Sequence, residues 1–284
     1  MQNASASITY TYDDAGNRTS RTDESGTYDY IADEDAKYLL ASIDGPGGDD
    51  SMFMYDDGGR LKVMTRESVP YVFAHNAAGQ VTSVMKIGQT VTTSTNGYDP
   101  LGQRTSSTEA NGTTVHKLPR RPCCTAIGAG PLDVSVQHLA TDGSGGVQAG
   151  WVYAGENPIL RFDASNNVKY YLEDASDSIA ALVDSGGVKT AEYAYDGFGN
   201  LIDGSPAPSG PAGGDFGFHA AWLDPDTGLY HMRARSYDPE TGRFTSPDPA
   251  RPVDQAPETF QPYVFANNNS HLFSDPTGAL ALPK

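Results

Sequence analysis

The stretch Ile8-Thr9-Tyr10-Thr11-Tyr12-Asp13-Asp14-Ala15-Gly16 decides the fold. Its first half alternates, which puts Tyr10 and Tyr12 on one face of an extended strand. Asp13 can then accept a backbone N–H two residues on and close an Asx-turn. Gly16 supplies the positive φ that such a turn requires. The frame Tyr-Asp-x-x-Gly returns as Tyr55-Asp56-Asp57-Gly58-Gly59, Tyr98-Asp99-Pro100-Leu101-Gly102 and Tyr195-Asp196-Gly197-Phe198-Gly199. The first three copies begin at 12, 55 and 98, a spacing of 43 residues. His75-Asn76-Ala77-Ala78-Gly79 is a degenerate copy between them, and Phe162-Asp163-Ala164-Ser165-Asn166 ends on Asn, the common substitute for Gly at positive φ. Segments such as Arg60-Leu61-Lys62-Val63-Met64-Thr65 resume the alternation as return strands.

The repeated unit is a β-hairpin, and no stretch with a 3.6-residue apolar period competes with it. One hairpin is marginal alone, so successive units must pair and bury their tyrosine faces. The composition agrees: 284 residues include 16 Tyr, 10 Phe, 31 Gly and 19 Pro. A large aromatic side chain buries about 150–250 Å² and can replace part of an aliphatic core. The tyrosine rows admit two readings, inter-strand packing or a ladder on which glycan rings stack.

Charge and patterning exclude other classes. With 36 acidic and 19 basic side chains the net charge is −17, so the basic surface needed for nucleic acid is missing. Membrane insertion is excluded too, because the longest apolar run, Ile179 to Val183, is far short of a membrane span. No signal peptide is readable at the start. Cys123-Cys124 reads as two incidental thiols. The clusters Asp33-Glu34-Asp35 and Asp49-Asp50 read as solvated turns, since neither an EF-hand loop nor a glycine–aspartate nonapeptide is present. No cofactor or metal is expected.

The sequence predicts a repeat region over 1–203, with an irregular insertion at 111–150 that contains Lys117, Arg120, Arg121 and a Gly-rich tract. A Gly/Pro linker follows at 204–214, a different block at 215–279 and a tail at 280–284. The block is built on Asp-Pro turns: Asp224-Pro225-Asp226-Thr227-Gly228 and Asp238-Pro239-Glu240-Thr241-Gly242, then Asp248-Pro249 and Asp275-Pro276-Thr277-Gly278. Pro presets φ, Thr bonds locally and Gly closes each turn.

The stretch Gly228 to Pro249, with Pro262-Tyr263-Val264-Phe265-Ala266-Asn267-Asn268-Asn269 and the turn ending at Gly278, resembles the RHS/YD-repeat family and its RHS repeat-associated core domain. Tyr170 to Gly187 and Tyr193 to Leu201 are similar to that family's last repeats. The resemblance implies an all-β chain whose antiparallel hairpins form a curved or spiralled sheet, a partial cocoon, with a C-terminal plug. It implies a shell-forming, encapsulating role within a polymorphic-toxin or wall-associated protein, secreted or at the cell surface. No toxin segment is readable in this chain. Implied partners are an upstream repeat-shell segment or an effector polypeptide. Glycans are a further candidate partner from the tyrosine faces, and a second copy could pair through sheet edges.

The resemblance also implies a self-cleaving aspartyl protease whose two carboxylates would be Asp248 and Asp275, cutting after Ala279. Two carboxylates sharing one proton can serve as base and acid. Arg251 replaces the first motif's Gly, the two Asp are 27 residues apart, and Ala279 stands where the family usually has Leu. Asp248 and Asp275 are therefore either that pair or simple caps of Asp-Pro turns.

Overall fold

A computed structural model describes residues 7–88, 90–119, 135–155, 157–202, 204–249, 261–275, 277–279 and 282–283. Cys123, Cys124, Arg120, Arg121, Arg251 and the tail residues Leu280 and Ala281 lie outside the described residues.

Seventeen strands among the described residues form one antiparallel sheet, from Thr9–Tyr12 to Lys189–Glu192. Each strand pairs with the next in chain order, so the sheet is a continuous meander. The expected turn closes the hairpins at one end. Asp13 Oδ1 accepts the N–H of Ala15 at 3.0 Å and of Asn17 at 2.8 Å, and Gly16 turns at φ +79°. Asp56, Asp99 and Asp196 repeat these two bonds, with Gly59, Gly102 and Gly199 at positive φ. Asn76 substitutes for the Asp, and Asn166 takes the glycine position at φ +62°.

Alternation then sorts the side chains. In Ser51–Tyr55, Ser51 and Phe53 are buried while Met52 and Met54 face outward. Tyr30, Tyr71, Tyr171 and Tyr193 are likewise buried, so the tyrosine rows serve inter-strand packing. Two apolar clusters result. One runs from Tyr30 through Ile43, Met64 and Phe73 to Leu229, and the other from Val115 through Trp151 and Leu182 to Trp222.

The sheet is not closed by backbone pairing, yet it bends until its ends meet. Tyr10, on the first strand, donates its hydroxyl to Asp196 at 2.8 Å and packs edge-on against Phe198 at 4.9 Å. The seam is thus closed by side chains of the first and last copies of the motif.

Strands run into both of the stretches expected to be irregular. Thr114–Pro119, Ser135–Thr141 and Val147–Ala154 are strands of the sheet, so the insertion expected at 111–150 continues the meander on both sides of residues 120–134. The physical reason is a disguised copy of the turn. Asp142 Oδ1 accepts the N–H of Ser144 at 2.9 Å and of Gly146 at 2.8 Å, and Gly145 turns at φ +87°. Thr141 precedes it in place of Tyr, and glycines flank the motif on its C-terminal side. Within the expected linker, Ser209–Gly210 pairs with Gly213–Gly214, and Ala212 is fully buried.

A second meander of six short strands runs from Ser209–Gly210 to Arg243–Phe244. Its core is aromatic: Tyr237 lies 4.7 Å from Phe265 and 5.7 Å from Phe244, with Phe218 stacked beside it. This block touches the large sheet early, midway and late in the meander. Leu61 N–H donates to Thr245, Ala110 N–H to Asp226 and Ile179 N–H to Gly217. The sheet therefore encircles the block.

Candidate functional site

The repeat turns curl over the C-terminal block, and its polar side chains bond their carbonyls. Tyr263 donates to Gly59 O at 2.5 Å, Asn268 to Gly16 O at 2.9 Å, Tyr237 to Phe198 O at 2.7 Å and Tyr230 to Gly199 O at 3.3 Å. Each such bond contributes about 1 kcal/mol net, and each would cost more if left unmade inside. The close approach gives Gly59 a second reason: a Cβ there would stand 2.4 Å from the Tyr263 hydroxyl. Tyr55 and Tyr98 sit at the ends of their strands, and the Tyr98 hydroxyl donates to Val81 O at 2.7 Å. Burial pushes the Tyr55 hydroxyl up to about 12.

Arginines on the wall hold the block's carboxylates. Arg66 reaches Asp238 and Glu240, and Arg161 Nε lies 2.8 Å from Asp215 Oδ2. Tyr171 donates to the other Asp215 oxygen at 2.5 Å and accepts from Trp151 Nε1 at 3.2 Å. Burial pushes Asp215 up to about 6, although Arg161 and Tyr171 pull it down. Arg18 is buried among aromatic rings. Its guanidinium lies 3.8 Å from the Phe198 ring centre, between Tyr10 and Tyr30, and donates to Tyr30 at 3.3 Å.

The Asp-Pro turns of the block are closed by their own side chains. Asp224 Oδ1 accepts from Asp226 N, Thr227 N and Thr227 Oγ1, and Asp238 Oδ1 from Glu240 N. Gly228, Gly242 and Gly278 all turn at positive φ. Gly278 has no room for a side chain, since a Cβ would meet Met232 O at 2.0 Å.

Where the first of these turns meets the wall, Glu109 faces Asp224 and Asp226. Burial pushes Glu109 up to about 8, the two aspartates add to that, and Arg104 and a hydrogen bond from Ser107 oppose it. Asp224 is raised by the same burial. The folded form therefore holds the Glu109 proton more tightly than the unfolded chain. This contribution is fully present below the ordinary value of 4.5 and is lost as pH rises through about 8. Asp215 adds a slope of the same sign between 3.8 and about 6. The urea midpoint is expected to fall steadily as pH rises from 4.5 to 8, and Glu109→Gln to flatten the part above pH 6. Equal slopes in both proteins would contradict this assignment.

Asp248 and Asp275, 27 residues apart in sequence, are brought together by Arg235, which the sequence reading missed. Its Nη2 lies 2.8 Å from Asp248 Oδ2 and 3.3 Å from Asp275 Oδ2. Nη1 donates to Pro262 O at 2.9 Å and Nε to Gly278 O, while Phe244 lies under the guanidinium at 3.6 Å. Burial lowers the Arg235 pKa, and the two carboxylates oppose that. Asp275 and Arg235 are 3% exposed and Asp248 is 24% exposed, so only one carboxylate meets solvent. Asp275 Oδ1 also caps its turn, accepting Ala279 N–H at 3.0 Å and Thr277 Oγ1 at 3.3 Å. A guanidinium standing between the pair supplies the charge that a shared proton would otherwise supply. Arg235 was not visible because it lies 13 and 40 residues from its two partners.

Among the described residues, no group of three His, Cys, Asp or Glu is placed to hold a metal ion. No helix there is long and apolar enough to cross a membrane.

Comparison with known proteins bears on this arrangement of wall, turns and block. The family model for the teneurin YD-shell matches residues 147–271, spanning the last strands and most of the block. Over those residues the chain is similar to the YD-repeat shell. The chain is 26% identical over 275 residues to the tRNA3(Ser)-specific nuclease WapA of Bacillus spizizenii, covering 95% of this chain and 11% of that protein. It is 30% identical over 119 residues to teneurin-3 of Danio rerio, covering 39% of this chain and 4% of that one. The chain thus spans about a tenth or less of these relatives' lengths. A crystal structure of a TcdB2–TccC3 complex superposes on 96% of it with a TM-score of 0.53 at 16% identity, covering 17% of that chain. The same shell fold recurs there.

Proposed function

We propose that the chain is the sealed end of an encapsulating shell, in which the C-terminal block closes the curved sheet around an effector polypeptide. The observation that carries this reading is the ring of contacts from repeat turns and wall arginines onto one block. A sheet that only had to be stable could bury its concave face against itself. Here its polar donors, acceptors and charges are matched to a separate plug. Such a shell belongs outside the cell or on its surface, as the family resemblance implies, with an upstream repeat segment as its neighbour.

The test is to insert a specific protease site after Gly204, where the glycine has open space around it. After cutting, the two pieces are expected to co-elute in gel filtration under native conditions and to separate only in denaturant. Native separation would sink the seal.

A second reading, self-cleavage after Ala279, is favoured by the meeting of Asp248, Asp275 and Arg235 beside Gly278. Asp248 would take a proton from water as the water oxygen bonds to the Ala279 carbonyl carbon, Arg235 would neutralise charge on the carbonyl oxygen, and Asp248 would return the proton to the Leu280 nitrogen as the peptide C–N bond breaks. With both carboxylates bound to one cation and Asp275 capping its own turn, the structural role is the one we adopt. Intact mass spectrometry is therefore expected to give the full-length mass for the wild type and for Asp275→Asn alike. Loss of Leu280 to Lys284 from the wild type alone would establish the protease instead.

A further inference from the structure

The wall has an outer face as well as the face that packs on the block. In the strands from Ser51–Tyr55 to Val81–Ile87, Phe53, Met64, Phe73 and Val84 point inward and are buried. The residues between them point out. One outer row runs from Met54 through Val63 and Val72 to Met85 by successive cross-strand pairs. A second row lies beside it, from Met52 through Thr65 and Pro70 to Ile87, which pairs with Val91. Met52 and Met54 are 60% and 61% exposed, and neither row contains a charged side chain. Single exposed apolar residues are ordinary, but two adjoining uncharged rows make a contiguous patch, the mark of an interaction surface.

Charge borders this patch along one side. Ser42 is the cross-strand partner of Met52, and two residues beyond it comes Asp44, which pairs with Asp29. Asp50 and Glu67 continue that border at the ends of the neighbouring hairpins, and all four acids are exposed. On the opposite side the neighbours are Lys62, Ala74 and Ser83. The border selects the occupant. A second copy would bring another net charge of −17 to the face, and anionic headgroups are repelled in the same way. Methionine side chains are flexible and polarizable, so they adapt to an apolar stripe of varied shape. Apolar rows beside an acidic edge are complementary to an amphipathic segment carrying Lys or Arg along one flank.

We propose that this outer face docks a basic amphipathic segment of a partner polypeptide, its apolar side on the methionine rows and its cations along Asp29, Asp44, Asp50 and Glu67. The inference does not depend on the sealing role, because the block packs on the opposite face of the wall.

The full chain is titrated calorimetrically with a designed Leu/Lys peptide whose leucines share one helical face, and with a peptide of the same composition in scrambled order. The first is expected to bind and the second to bind at least about tenfold more weakly. Without peptide, dilute hydrogen peroxide should convert Met52, Met54 and Met85 to sulfoxides ahead of buried Met64. The bound amphipathic peptide should protect all three, a readout that needs no variant. Met54→Lys is expected to weaken binding about tenfold without altering the urea midpoint, and Asp44→Asn to lower both the affinity and its salt dependence. Silence from the amphipathic peptide, equal binding of both peptides, or binding that leaves the three methionines unprotected overturns the inference. So does self-association, or attachment to phosphatidylcholine vesicles, that Met54→Lys abolishes, since either would assign the face to another occupant.

Discussion

Replacing Arg66 by methionine is expected to destabilise the chain by about 3–5 kcal/mol, the usual cost of leaving a buried ionic partner uncompensated. Arg66 ends the strand Leu61–Arg66 and crosses from the wall to the block. Its Nη2 pairs with Asp238, its Nε lies 2.7 Å from Glu240 Oε2, and its Nη1 donates to Thr227 O at 2.9 Å. Methionine preserves much of the stem and removes the charge and the donors that serve all three partners. Burial already raises Glu240, and Arg66 is the main force holding it down. Without that force Glu240 takes up a proton more readily, so the deficit is expected to shrink as the solution is acidified. Urea unfolding at neutral and mildly acidic pH measures both effects. Adding Glu240→Gln to the variant is expected to recover part of the loss, because it removes one stranded carboxylate. A loss under about 1 kcal/mol, within the range of exposed pairs, would show that the block does not depend on this bridge.

Trp222→Ala is expected to cost about 3–5 kcal/mol as well, by a different route. Trp222 is 1% exposed and joins the two meanders. Its ring stands edge-on to Trp151 on the wall at 5.4 Å and to Phe216 in the block at the same distance. Gly214 passes so close that a Cβ there would meet the Trp222 ring at 3.0 Å, so the backbone has no slack with which to fill the cavity. The chain contains two tryptophans, which makes the readout specific. With Trp222 removed, the emission that remains reports Trp151, whose indole donates to Tyr171. That emission should shift to longer wavelength if the block loosens. An unchanged urea midpoint would mean that the contact between the meanders is replaceable.

The repeat turns were readable because all their chemistry is local. Asp13 and Gly16, or Asp56 and Gly59, make their defining bonds within five residues, and the alternating strands before them need only a shared face. The same logic explains the miss at 142–146. That turn uses the same Asp and Gly, but Thr141 precedes it and glycines surround it, so composition hid a geometry that was present. Asn166 shows the opposite case, a substitution whose reason could be named in advance. Asp248 and Asp275 were marked by their Asp-Pro motifs and do converge, although Arg235 joins them, a residue that no spacing rule selects.

The sequence by itself determined the all-β class, the hairpin repeat, the turn that ends each repeat and the change of chemistry in the last quarter. Each of these follows from backbone preferences and side-chain periodicity over a few residues. Tertiary structure alone decided that the meander bends until Tyr10 meets Asp196, and that the turn carbonyls are bonded by Tyr263, Asn268, Tyr237 and Tyr230. It also decided which arginines face which carboxylates. These contacts join residues up to 252 apart. Such pairs are selected by the accumulated twist and curvature of seventeen strands, and no short stretch of sequence encodes that sum.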